Sequence, residues 1–243
     1  MASILKSMKL LRYVAVWLTV GCLTVQLWAG TNEGRAAYDR GDYRVAFSEF
    51  RTLADKGDIE AQTMVGWMLS QGLGVPKDFQ AGRSWLERAA AAGHDPASAK
   101  AQHDLGVIYE NAIGVSKDMK KAFSWYLQAA ENGDTSAQTN VGTLYIDGNG
   151  IKRDATKGVY WLTKAAKQGD PEAYANLGMV YFEGLGTAKN WPLSYFFLFM
   201  TVNHSGREVP NARNNLNIVT KKLSPTQLAE GRKLVQEALA EPK

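Results

Sequence analysis

Apolar positions recur along this chain in a block that repeats. A short helical stretch of small and apolar residues leads into a glycine-rich turn. A second stretch then places Ala122, Trp125 and Ala129 at i, i+3 and i+7, one face of a helix. The first stretches align on a glycine: Ala61-Gln-Thr-Met-Val-Gly66, Ala101-Gln-His-Asp-Leu-Gly106, Ala137-Gln-Thr-Asn-Val-Gly142 and Ala173-Tyr-Ala-Asn-Leu-Gly178. Steps between these glycines are 40, 36 and 36 residues, and Trp85, Trp125, Trp161 and Phe197 keep the same steps. Four extra residues around Asp95-Pro96-Ala97-Ser98 account for the longer step and read as an inter-repeat loop insertion.

Each block has one grammar. An aromatic follows the aligned glycine by three residues in Gly106/Tyr109, Gly142/Tyr145 and Gly178/Tyr181, so the glycine is expected to let two helices approach while the aromatic fills the space beside it. Gly72-Leu-Gly74, Gly148-Asn-Gly150 and Gly184-Leu-Gly186 predict turns; the second block has Ala112 in place of the first glycine. Asp78, Asp118 and Asp154 are suited to cap the second helix, and Gly93, Gly133 and Gly169 to end it in a left-handed conformation. The unit is therefore an αα-hairpin. Trp125 and Trp161 fall on its apolar stripe and are expected in the core.

These residues resemble the Sel1-like repeat, a cousin of the tetratricopeptide repeat, in four copies over about residues 58–205. Ala37-Tyr38 through Ala46-Phe47 resembles a shorter tetratricopeptide-like opening hairpin. The expected division is a leader (1–29), an N-terminal hairpin (30–57), repeats 1 to 4 (58–94, 95–134, 135–170, 171–205) and a C-terminal cap (206–243). The resemblance implies an all-α fold, a right-handed α-solenoid of αα-hairpins used as an adaptor, with no shared catalytic residues. In the tail, Ala212, Leu216, Val219 and Leu223 form a helical stripe. Ser224-Pro225-Thr226-Gln227 then reads as a capping box with proline at the first helical position. Solenoids need atypical ends to cover their last apolar face, and the tail fits that need. The run Tyr195-Phe-Phe-Leu-Phe-Met200 is apolar all round and is expected to be buried beneath it.

The first 29 residues have the make-up of a targeting segment. Lys6, Lys9 and Arg12 precede an uncharged apolar run, and Leu27-Trp28-Ala29 offers a cleavage site near Gly30. Cleavage would make the chain periplasmic. Retention of the run would anchor it in the inner membrane, facing the periplasm, and the membrane is a partner only in that case. Thr19-Val20-Gly21-Cys22 leaves a third course, lipidation of Cys22. The leader also changes the charge. Of 28 Lys+Arg against 24 Asp+Glu, three basic residues lie before residue 30; 28 less three leaves 25 against 24. A nearly neutral body lacks the basic footprint of nucleic-acid binding. Cys22 is the single cysteine, so the mature chain has no internal disulfide.

No motif assigns chemistry. The Gly-x-Gly turns lack the third glycine of a dinucleotide fingerprint and any following Gly-Lys-Ser/Thr. Asp147-Gly148-Asn149-Gly150 lacks the remaining ligands of a calcium loop. His94, His103 and His204 are not spaced as a metal pair, and no nucleophile elbow occurs. No catalytic residue, metal or cofactor is assigned. The reading is a non-enzymatic scaffold for a protein or peptide; a membrane-anchored assembly factor and a cell-wall binding or hydrolytic protein stay open beside it. The expected groove comprises the residues three before and one after the aligned glycine, which share a helix face. They are Thr63 and Trp67, His103 and Val107, Thr139 and Thr143, and Ala175 and Met179, and they vary where a core position would be uniform. Trp67 and Met179 are of the kind that anchor interfaces.

Overall fold

The computed structural model describes residues 32–93, 95–204 and 206–240. The expectations on the leader, Cys22 included, and on His94 lie outside the described residues. Regular structure among the described residues is all α-helical: α1 Asn32–Asp39, α2 Tyr43–Asp55, α3 Ile59–Gln71, α4 Phe79–Ala90, α5 Pro96–Glu110, α6 Met119–Glu131, α7 Thr135–Asp147, α8 Ala155–Lys167, α9 Pro171–Glu183, α10 Trp191–His204, α11 Ala212–Lys222 and α12 Pro225–Ala240. They fall into two compact units, divided along the chain in the first turn of α7: the described residues up to 137 form one and those from 138 the other. In the first unit each helix from α1 to α6 packs on the next. In the second, α8 packs on α9, α9 on α10, and α10 on both α11 and α12.

The helix boundaries follow from side-chain chemistry. The carboxylates of Asp78, Asp118 and Asp154 accept from the backbone N–H groups of Ala81, Lys121 and Lys157 at 2.9, 3.0 and 3.1 Å. Each such cap is worth about 0.5–2 kcal/mol. Gly93, Gly133 and Gly169 take φ of 92°, 96° and 86° just past the second helices. The extra residues of repeat 2 are not a loop. Asp95 caps Ala97, Pro96 takes the first helical position, and the insertion lengthens α5 at its start. An Asp-Pro pair is a helix-start signal, and here it decided the outcome.

Packing over the aligned glycines differs from the expectation. A Cβ on Gly66, Gly106, Gly142 or Gly178 would lie 2.7, 2.5, 2.7 or 2.6 Å from Leu86, Tyr126, Leu162 or Leu198. The residue over each glycine is thus the one twenty positions later, on the second helix, and not the tyrosine three positions on. Tyr109 and Tyr145 are half-buried, with the ammonium groups of Lys121 and Lys157 above their faces. Trp125 is likewise only half-buried, whereas its neighbour Tyr126 is 1% exposed. Adjacent helical residues point about 100° apart, so only one of the two can face the glycine. Trp161 is buried as expected, at 9%.

Buried polar groups are matched across repeats. Gln62 and Gln102, each following the first alanine of its block, donate to the carbonyls of Ala54 and Ala90 at the end of the preceding second helix. Asn132 donates in turn to Gln102, and Gln168 to Gln138. In repeat 4 the glutamine is replaced by Tyr174, whose buried hydroxyl has no partner among the described residues. The cap forms as expected. Tyr195 to Leu198 and Met200 are buried, and α10 meets α9, α11 and α12. The Ser224 N–H donates to Gln227 Oε1 at 3.0 Å and the Gln227 N–H to Ser224 Oγ at 3.2 Å, a reciprocal capping box. Among the described residues no helix is long and apolar enough to cross a membrane.

Candidate binding surface

The eight predicted groove residues separate into two rows. Three before the glycine, Thr63, Thr139 and Ala175 are buried, and His103 keeps 16% of its side chain exposed. The Thr63 hydroxyl donates to Ile59 O at 3.0 Å and comes within 3.5 Å of Ala97 O on α5, the next first helix. Thr139 donates to the carboxylate of Asp170, the N-cap of α9. Thr63 and Thr139 are therefore engaged toward the start of the next first helix. One after the glycine, Trp67, Val107, Thr143 and Met179 are all half-exposed. Four residues along a helix leave about 40° of rotation, enough to turn one row into the seam and leave the other out. Trp67 does not join the cluster built by the N-terminal hairpin.

Residues two and six before the glycine, absent from the sequence reading, share this face with the half-exposed row. In the first unit they include Glu60 and Met64 on α3, and Lys100 and Asp104 on α5. They also change size and charge between repeats, the same signal that singled out the other positions. Glu60 has one carboxylate oxygen buried without a hydrogen-bond partner among the described residues. Burial pushes its pKa up to about 7; Asp58 and Asp95 add to the rise and Arg35 opposes it. Asp104, 8% exposed, lies against the Lys100 ammonium and 3.4 Å from His103 Nδ1, so its charge is met. The Tyr126 hydroxyl donates to Glu110 at 2.6 Å, and burial, then that bond, raise its pKa.

In the second unit the same face is amide-rich. Asn176 Nδ2 donates to Thr143 Oγ1 at 3.1 Å. A cleft of about 280 Å³ opens beside α9, lined by Glu172, Ala175, Asn176 and Met179 on one side and Val209 to Asn211 on the other. Arg207 ties the connecting segment to α9 through Asp170 at 3.2 Å and Glu172 at 3.4 Å. Ala175 and Met179 are the predicted residues that line this cleft. Among the described residues no group of His, Cys, Asp or Glu is placed to hold a metal ion.

Successive helical hairpins, each with a residue of the second helix over the glycine of the first, mark a helical-repeat protein. The chain matches the Sel1 repeat family over residues 59–94, 99–134, 135–170 and 171–197, more than half its length, and belongs to that family. A Sel1 repeat protein from Oxalobacter formigenes is 26% identical over 88% of this chain and 86% of its own, with a TM-score of 0.70. The protective antigen c5321 of uropathogenic Escherichia coli, which has an SLR fold, is 26% identical over 82% of this chain and 49% of its own, with a TM-score of 0.49. Immunity protein Pa5087 from Pseudomonas aeruginosa is 16% identical over 85% of this chain and 83% of its own; its TM-score of 0.50 speaks for the fold alone. No curated protein matches the chain significantly. Sel1 repeat proteins are scaffolds that generally bind other proteins.

Proposed function

We propose that the protein is an exported, non-enzymatic scaffold that holds a protein or peptide partner on the half-exposed face of its first helices. The observation that carries this reading is the cleft beside α9, where Met179 and Ala175 supply apolar surface and Asn176 supplies an amide. A peptide needs both: pockets for side chains and hydrogen-bonding groups for its backbone. Export rests on the make-up of residues 1–29. The non-enzymatic reading rests on the family, whose repeat is generally a scaffold for protein interaction.

Photo-crosslinking in the native host tests the surface. A crosslinker at Met179 or Val107 should give discrete protein adducts, and one at exposed Ser84 should not; equal adducts from Ser84 would overturn the assignment. Trp67→Ala should weaken binding of the captured partner by about 2 kcal/mol or more, the hot-spot threshold, with the melting temperature nearly kept. Early unfolding of that variant, or undiminished binding, removes Trp67 from the site. For export, the mature N-terminus should fall near Gly30 in the periplasmic fraction. Full-length chain in washed membranes would make the protein anchored instead.

A further inference from the structure

The outward side of α8 carries a line of charge that the other second helices lack. Arg153, Lys157, Tyr160, Lys164 and Lys167 follow one another at steps of four, three, four and three residues, along one side of α8 and the turn before it. Gly158, Leu162 and Ala165 occupy the opposite, buried side, so the line faces away from the core of its unit. Tyr160 at its centre is 57% exposed. The Lys164 ammonium stands 5.6 Å from the centre of the Tyr160 ring and 4.7 Å from that of Trp161. Lys157 lies 3.6 Å from Asp154, a carboxylate already engaged in capping α8. The same five positions in repeat 2 hold Lys117, Lys121, Ser124, Gln128 and Glu131. In repeat 1 they hold Lys77, Ala81, Ser84, Arg88 and Ala91. Repeat 3 alone of these three has cations at four of the positions and an aromatic at the fifth.

We propose that this stripe of α8 docks an acidic polypeptide segment of a partner protein. Charge complementarity sets the sign: among the described residues the four cations have one carboxylate beside them, Asp154, whose second oxygen stands 3.6 Å from Lys157, and Arg153 spends only its Nε on the Ile146 carbonyl, 2.7 Å away. The shape selects the class. From Lys157 to Lys167 the line runs about 15 Å and is one side chain wide, which matches a linear chain of carboxylates. A lipid plane would draw on cations spread over an area, and Thr156 and Thr163 beside the line bear none. Exposed ion pairs contribute only about 0–1 kcal/mol each, so the cations act together and the contact weakens with salt. Tyr160 adds an apolar contact whose ring loses little freedom on binding. The first-helix face is a different surface, so either assignment can fail without the other.

The test is fluorescence anisotropy of a labelled 14-residue Glu/Ala peptide with the full chain, against its Gln/Ala counterpart. The acidic peptide should bind and the neutral one should not, with Kd rising as salt goes from about 0.05 to about 0.3 M. The triple variant Lys157→Gln, Lys164→Gln, Lys167→Gln should raise Kd at least tenfold while keeping the wild-type melting curve, and Tyr160→Ala should raise it about threefold. Arg88→Gln, at the equivalent position of repeat 1, should leave it unchanged. Equal binding of the Gln/Ala peptide, no binding of the acidic one, or indifference to the triple variant each overturns the proposal. So does binding to phosphatidylglycerol vesicles without binding to the acidic peptide, which would assign the stripe to a lipid surface.

Discussion

Over Gly106 the second repeat lays the ring of Tyr126, and over Gly142 the third lays the branched end of Leu162. Where the third repeat turns through Gly148 at φ 73°, the second turns through Ala112 at φ 57°. The two hairpins thus share a backbone path with different side chains at two positions that define it. What the fold requires is volume over the glycine and a left-handed residue in the turn; the residue identity at either place is free. The differences have costs, and those can be measured. Repeat 2 keeps a buried hydroxyl satisfied through Glu110 and holds a non-glycine residue where glycine fits best.

The largest effects should come from emptying the space over the glycine. Tyr126→Ala should destabilise by about 3–5 kcal/mol and Leu162→Ala by about 2–5, read from denaturant unfolding. Half-exposed Trp125→Ala should cost less than either. If Trp125→Ala proves the most costly of the three, the structure's ordering of core and rim is wrong. The converse change overfills the same space. Gly106→Ala and Gly142→Ala should each cost about 1–3 kcal/mol, the first more, because Tyr126 is tethered to Glu110 and yields less readily than Leu162.

Turn substitutions should be smaller and opposite in sign. A left-handed residue with a Cβ is strained by about 1–2 kcal/mol, offset in part by the freedom glycine gains when unfolded. Ala112→Gly should therefore stabilise by up to about 1 kcal/mol, and Gly148→Ala should destabilise by a similar amount. Thermal melts of the pair decide it: two shifts of the same sign would mean that the turns are not equivalent.

Periodicity, caps and turns made the hairpins legible in the sequence, because each depends on residues near one another in the chain. Asp118, Gly133 and the Ser224 box act within a few residues and could be read directly. What lay twenty positions away could not. The expectation placed Tyr109 beside Gly106 by nearness in sequence, and only the packing of α5 on α6 shows Tyr126 there instead. The candidate surface has the same limit. Variation across repeats picked out its rows, but the 40° that buries Thr63 and Thr139 while leaving Val107 half-exposed is set by the next first helix. Burial of Thr63 does not follow from its type, since a threonine suits a seam and a surface equally.

Six residues before the glycine, repeats 1 and 2 differ in charge, and this comparison yields the smallest expected effect. Repeat 2 has Lys100, paired with Asp104; repeat 1 has Glu60, with one carboxylate oxygen buried and without a hydrogen-bond partner among the described residues. Its pKa stands near 7 in the folded chain, against an ordinary value of 4.5, through burial first and then Asp58 and Asp95, with Arg35 opposing. Between those two values the folded state holds a proton that the unfolded state releases. Stability attached to Glu60 is therefore fully present at low pH and is lost as pH rises through 7. Glu60→Gln mimics the protonated group at every pH. It should leave the melting temperature unchanged at pH 4 and raise it at pH 8, by no more than about 1 kcal/mol in stability because the carboxylate is partly solvent-screened. A variant whose difference from wild type is the same at both pH values would show that Glu60 titrates alike in the folded and unfolded chain.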